Sequence, residues 1–111
     1  MPRRTKPDPL ALRIGRRVRA LRDEADLTQE QLAYTSEFGS KGHLSNLEKG
    51  LVMPTVATLL PLADRLDVLV ADLVTDPTDG DRAKLLELTR RAPPAVVKRL
   101  VRELEAALRK R

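Results

Sequence analysis

At 111 residues, with a net charge of +5 and no cysteine, the chain has the length of one domain whose core needs no disulfides. The absence of cysteine excludes disulfides and thiolate metal sites, and a single histidine, His43, cannot build a multi-histidine metal or catalytic centre. No apolar run approaches membrane-spanning length, and the start, MPRRTKPDP, is charged without an apolar h-region, so it does not read as a signal peptide.

Tyr34 and Phe38 are the only aromatic residues, so the core must be built from Leu, Val and Ala, which suits packed helices. No run alternates cleanly between apolar and polar residues, so strands are not expected. The cytoplasm is the compartment these features suggest. Charge is unevenly spread. Residues 1–22 carry eight Lys/Arg against Asp8 alone; residues 23–81 carry three bases against twelve acids, a balance of −9; residues 82–111 carry ten bases against three acids. The basic ends suit a polyanion, and the acidic middle does not.

Residues 1–9 hold three prolines and three bases and are expected to form a disordered basic arm, either a solvated tail or an arm that finds phosphate when the domain docks. Helix one is expected over Leu10 to Ala25, with Asp8 as N-cap, Pro9 at N1, and Leu10, Ile14, Val18 and Leu21 as its apolar stripe. Asp26 stops it. Thr28 caps a second helix ending near Thr35, with Gln31 completing a capping box. Ser36 to Gly39 breaks that helix, Ser40 caps a third running to Lys49, and Gly50 ends it. Leu44 and Leu47 share one face of helix three, which leaves Lys41, Gly42, His43, Ser45 and Asn46 facing elsewhere. Two short helices around such a turn form a helix-turn-helix pattern.

After Pro54, Thr55 caps a fourth helix over Val56 to Leu66, stamped by Leu59, Leu62, Ala63 and Leu66, with Pro61 removing a hydrogen bond in its second turn. Leu69 to Val74 reads as a fifth helix with Leu69 and Leu73 inward. Thr75 to Gly80, TDPTDG, is a linker by composition. Beyond it Asp81 to Arg91, with Leu85, Leu88 and Ala92 on one side, and Ala95 to Lys110 form a helical pair. In the latter, Val97, Val101, Leu104 and Leu108 repeat as an a/d seam that Leu100 widens. This pair, residues 81–111, has too little core to stand alone. It must fold back on residues 10–75 or pair with a second copy.

The residues Leu21-Arg22, then Leu27 to Ala33, Leu44 to Gly50, Pro54-Thr55, Thr58-Leu59, Leu62-Ala63, Leu66 and Leu69 to Leu73 carry a compound signal: TQxxLA, LSxLExG, PTxxTL and LAxxL in order. Ile14 to Val74 thereby resembles the Cro/C1-type, or XRE-family, helix-turn-helix domain of bacterial and phage transcription regulators. The resemblance implies an all-α architecture, a five-helix lambda-repressor-like domain followed here by the C-terminal helical pair. It implies that helix three enters the major groove of double-stranded DNA. Residue by residue, it places Gln29 on phosphate, Ser40, Lys41, Gly42 and His43 at the exposed start of helix three, and Asn46 one turn on. Asn reads adenine and Lys donates to guanine, whereas Ser45 and Lys49 suit phosphate or sugar. Arg16 and Arg17 of helix one would add phosphate contacts. Arg22 and Glu48 match an ion pair tying helix one to the end of helix three.

Two departures stand out. Between Ala33 and Leu44 there is one residue more than the family usually has, which lengthens the turn and gives Phe38 the apolar slot. Gly42 lies in the first turn of the reading helix, where it contributes no base contact but permits close approach to the backbone of DNA. His43 reads equally as a base or phosphate contact and as an ordinary surface residue.

The function these residues imply is a sequence-specific regulator acting as a homodimer, held by Leu85, Leu88, Val97, Leu100, Val101, Leu104 and Leu108. Such a protein would be cytoplasmic and lie on the bacterial nucleoid when bound. The alternative is a protein-interaction adaptor that keeps the fold with weak or no DNA binding, motivated by the acidic middle. It requires Asp23, Glu24, Asp26, Glu30 and Glu37 to cluster beside helix three. No nucleophile–base pair, Gly-rich phosphate loop, metal cluster, cofactor motif or small-molecule pocket is evident, so an enzyme is not expected.

Overall fold

The computed structural model describes residues 6–35 and 40–110, and the regular elements among them are helices: α1 Pro9–Glu24, α2 Gln29–Thr35, α3 Lys41–Glu48, α4 Val56–Leu66, α5 Val70–Val74, α6 Asp81–Arg91 and α7 Pro94–Arg109. Most of the N-terminal arm, the lengthened turn with Phe38, and Glu37 lie outside the described residues. The chain divides into two compact units, with the division between Val74 and Thr75.

Four of the five helices of the first unit begin where the sequence supplies a capping oxygen. The Asp8 carboxylate accepts from the Leu10 and Ala11 N–H groups at 3.0 and 3.1 Å. The Thr28 hydroxyl accepts from Gln31 N–H at 3.0 Å, while the Gln31 side chain accepts from Thr28 N–H at 2.9 Å, a complete capping box. The Ser40 hydroxyl accepts from His43 N–H at 3.1 Å, and the Thr55 hydroxyl accepts from Thr58 N–H at 3.1 Å.

Three helices end alike. Asp26, Gly50 and Asp67 take positive φ of 56°, 75° and 56°, and in each case the next N–H reaches back five residues to a carbonyl. Leu27 donates to Arg22, Leu51 to Asn46 and Val68 to Ala63, at 3.1, 3.0 and 2.9 Å. These reversals are tight enough to fold the first five helices around one core. Leu32, Leu44, Leu47, Leu62, Leu73 and Val18 are its fully buried members. Pro61 leaves α4 continuous. Thr55 secures the first turn, and the burial of Leu59, Leu62, Ala63 and Leu66 outweighs one missing hydrogen bond.

Two inward assignments need correction. Leu10 is 47% exposed, and Ala11 is buried in its place. Helix α1 starts at Pro9, so Leu10 stands at its very end, and the buried stripe runs Ala11, Ile14, Val18, Leu21. Leu69 is 63% exposed because it precedes α5. Its N–H donates to the Asp72 carboxylate at 2.8 Å, which orients it as a cap position. Val70 packs inward in its place, and Leu73 is buried as expected.

Helix α1 and the end of α3 approach each other backbone to backbone. A Cβ on Gly15 would overlap the Leu47 carbonyl oxygen and lie 2.7 Å from that of Glu48. A Cβ on Gly50 would lie 2.6 Å from the Leu12 Cα, on a residue whose φ already disfavours a side chain. Asp8 N–H donates to the Gly50 carbonyl at 3.1 Å, which closes the same junction. Since the obstructing atoms are mostly backbone, Gly15→Ala and Gly50→Ala each destabilise the chain by about 2 kcal/mol or more. Gly42→Ala, whose Cβ would meet nothing within 4 Å, stabilises it by up to about 1 kcal/mol. Denaturant unfolding of the three variants gives these opposite signs.

Candidate nucleic-acid interface

Helix α3 is held from behind. Leu44 and Leu47 are fully buried, and Glu48 turns its carboxylate inward to Arg22 of α1. The pair is bidentate: Arg22 Nε donates to Glu48 Oε2 at 2.8 Å, and Nη2 donates to Oε1 at 3.1 Å. The two side chains are 10% and 3% exposed. Arg22 Nη1 donates to the Leu27 carbonyl at 2.8 Å, and Gln29 Nε2 donates to Glu48 Oε1 at 2.9 Å. One carboxylate thus gathers the end of α1, the start of α2 and the end of α3. The hydrogen bond to Glu48 raises the Arg22 pKa above its usual value, against burial, which lowers it. The guanidinium therefore stays charged wherever the protein is folded.

The opposite face of α3 is not used by the core. Ser40 caps the helix and is exposed, as are Lys41, Gly42 and Lys49; His43, Ser45 and Asn46 are half-buried. The side chains of Lys41 and Asn46 make no hydrogen bond or ion pair with a described residue. This leaves a short polar face with a cation at its start, an amide one turn on, and open space over Gly42. Its chemistry suits hydrogen bonding to base edges.

On α1, Arg16 is exposed, whereas Arg17 is half-buried and its Nε donates to the Asp72 carbonyl at 2.8 Å. Arg17 thus fastens α1 to α5. In the second unit Leu85, Leu88, Val101, Leu104 and Leu108 are exposed, and Val97 and Leu100 are half-buried. Among the described residues no group of three or more His, Cys, Asp or Glu could hold a metal ion. None of the described helices is long and apolar enough to cross a membrane.

Sequence reasoning missed two positioning features. One is Gly15, for which the available signal was a glycine inside an otherwise strong helix. The other is the tie from Arg17 to the Asp72 carbonyl, a backbone acceptor that no residue pattern advertises.

Removing one partner of the buried pair strands the other's charge. Arg22→Ala and Glu48→Ala are each expected to cost about 3 kcal/mol, while Arg22→Met with Glu48→Leu costs much less than the sum of the single changes. A double-mutant cycle in urea measures the coupling. Additive losses would show that the pair does not act as a unit.

Three kinds of similarity bear on this arrangement. A family model described as a helix-turn-helix domain matches residues 13–74. An uncharacterised HTH-type transcriptional regulator of Sinorhizobium fredii is 47% identical over 66 residues, which is 60% of this chain and 83% of that protein. The immunity repressor protein of Bacillus phage phi105 is 34% identical over 65 residues, 59% of this chain and 44% of the repressor. Among solved structures, the restriction-modification controller protein C.AhdI from Aeromonas hydrophila superposes with a TM-score of 0.54 at 30% identity, covering 57% of this chain and 94% of the controller. The clp gene regulator ClgR from C. glutamicum does so with a TM-score of 0.57 at 28% identity, covering 64% and 90%. With its five-helix unit, its capped and buttressed α3 and these relatives, the chain belongs to the Cro/C1-type, or XRE, helix-turn-helix regulators.

Proposed function

We propose that the chain is a sequence-specific regulator that binds double-stranded operator DNA as a homodimer, with α3 in the major groove. The observation that carries this reading is the division of α3 into two faces. One is locked by Leu44, Leu47 and Glu48, and the other presents Lys41 and Asn46 with no partner among the described residues. A reading head needs both: rigid placement and uncommitted donors and acceptors. The phage relative is an immunity repressor and a structural relative is a restriction-modification controller, which supports a regulator's role.

In this reading Lys41, His43 and Asn46 select the sequence. Gln29, positioned by Glu48, contacts phosphate together with Ser40, Ser45, Lys49, Arg16 and Arg17. Gly42 allows the start of α3 to approach the duplex. Two copies place their α3 helices about 34 Å apart, one turn of DNA.

A selection from random duplexes is expected to return a two-fold symmetric site. Against that site Asn46→Ala and Lys41→Ala each weaken binding by about 10- to 100-fold and relax the choice of base, the equivalent of one bidentate contact. Arg16→Ala weakens all sequences alike and flattens the salt dependence. Gly42→Ala, although it stabilises the fold, weakens binding. Recovery of no preferred site, with Asn46→Ala binding random duplex as the parent does, would favour the adaptor reading instead.

A further inference from the structure

Helix α7 contains no buried residue. Its apolar stripe is formed by Val97, Val101, Leu104 and Leu108, and the last three are 50%, 53% and 62% exposed. Between α6 and α7 lies an open groove of about 610 Å³ whose lining includes Leu85, Leu100, Val101 and Leu104. On the α6 side, Leu85 and Leu88 remain 43% and 55% exposed. The two helices of this unit therefore meet while leaving most of each stripe open, and an apolar surface from both is left at the groove's mouth.

The flanks of the α7 stripe indicate what covers it. Seven residues bring a helix round to within about 20° of the same direction. Lys98 and Glu105 therefore share one flank, and Leu100 and Ala107 share the other. The second flank is the one toward α6, since Leu100 and the neighbouring Val96 are half-buried while Lys98 and Glu105 are exposed. Arg99 and Glu103 pair at 3.8 Å within the chain, on the side away from the stripe. Lys98 and Glu105 make no ion pair with a described residue.

Two copies of α7 can meet stripe to stripe in either direction. In a parallel pair the charged flank of each helix faces the apolar flank of the other. Lys98 and Glu105 would then oppose Leu100 and Ala107, and the two α6 helices would lie on opposite sides of the seam. In an antiparallel pair like flanks meet. Each Lys98 then faces the partner's Glu105, and both α6 helices fall on the same side, where Leu85 and Leu88 can cover their counterparts.

We infer that the occupant of this face is a second copy of the chain, with α7 antiparallel to α7. Val101 packs beside the partner's Leu104, Val97 beside the partner's Leu108, and Lys98 pairs with the partner's Glu105 at two symmetric places. The interface is isologous, and the four helices form a bundle of their own. This inference rests on the homodimer reading above and adds to it a direction, a register and a charge code.

Charge variants of the full-length chain test it by analytical ultracentrifugation. Lys98→Glu and Glu105→Lys each replace two attractions with two repulsions and raise the dimer dissociation constant about tenfold. The double exchange Lys98→Glu with Glu105→Lys restores it, and a mixture of the two single variants forms heterodimer in preference to either homodimer. Direction is read from disulfides, since the chain has no cysteine of its own. Val97→Cys with Leu108→Cys in one chain cross-links the dimer on oxidation, and neither change alone does so. A dimer that cross-links through Leu108→Cys alone is parallel and overturns the inference. So does a dimer indifferent to both charge reversals. A chain that is monomeric at every concentration, yet selects a DNA site, overturns the homodimer reading itself.

Discussion

The first unit depends on how closely α1 approaches the end of α3. Gly15 lies against the Leu47 and Glu48 carbonyls, and Gly50 lies against Leu12, so two helices meet there backbone to backbone. Glycine in a helix interior is unfavourable by roughly 1 kcal/mol relative to alanine. Its presence at Gly15 makes sense only because the closer approach brings larger gains. The approach sets Arg22 opposite Glu48 at 2.8 Å, and it brings the Asp8 N–H within reach of the Gly50 carbonyl. Apolar burial holds the five helices together, but it is nondirectional. The glycine contact and the ion pair set the angle and height at which α3 emerges.

From that constraint the character of α3 follows. The helix has eight residues, too few to be stable in isolation. It persists because Ser40 caps one end, a left-handed Gly50 closes the other, and Leu44 and Leu47 are sealed in the core. Every one of these supports comes from its inner face or its ends. None draws on Lys41, Gly42 or the side chain of Asn46, so outward residues can vary without loss of fold. Glu48 extends the same economy by accepting from Gln29 and Arg22 together. It orients a residue of α2 with the bond that fastens α3.

Much of this was legible in the sequence because the relevant signals are local. The spans of α4 and α6 follow residue for residue from their punctuation, Thr55 and Asp67 for one, Gly80 and Pro93 for the other. The caps at Asp8, Thr28 and Ser40 follow from a short polar oxygen placed before an apolar period. The compound of TQxxLA and LSxLExG was legible as well, because a spaced set of residues is far more specific than any single one. What was not legible depends on atoms distant in sequence. Leu10 and Leu69 are apolar and in phase, yet each stands at a helix end and is exposed. Periodicity cannot show where a core stops. Gly15 looks like a weakness in α1 until the carbonyls of α3 are seen beside it. Arg17 shows only a charge in the sequence, and its tie between α1 and α5 is seen once its Nε is found on the Asp72 carbonyl.

The acidic middle of the chain, which counts against a polyanion partner when read as a total, has a different meaning once its members are placed. Glu48 is buried and neutralised by Arg22. Asp72 is buried and holds the Leu69 N–H. Asp26 and Asp67 occupy the left-handed positions that close α1 and α4, where a short polar side chain is tolerated better than most. Asp76 accepts from the Thr78 N–H and hydroxyl in the segment after α5. Asp23 lies 3.4 Å from Arg22 and 3.9 Å from Arg19. These acids serve helix ends, turns and ion pairs, and six of the twelve between residues 23 and 81 are accounted for in this way. Half of the segment's acids are thus placed by how its short helices are terminated and tied, and two of them, Glu48 and Asp72, are withdrawn from the surface. A net charge summed over a stretch of chain describes a surface only when the residues that carry it are free to act there, and here many are engaged in building the fold.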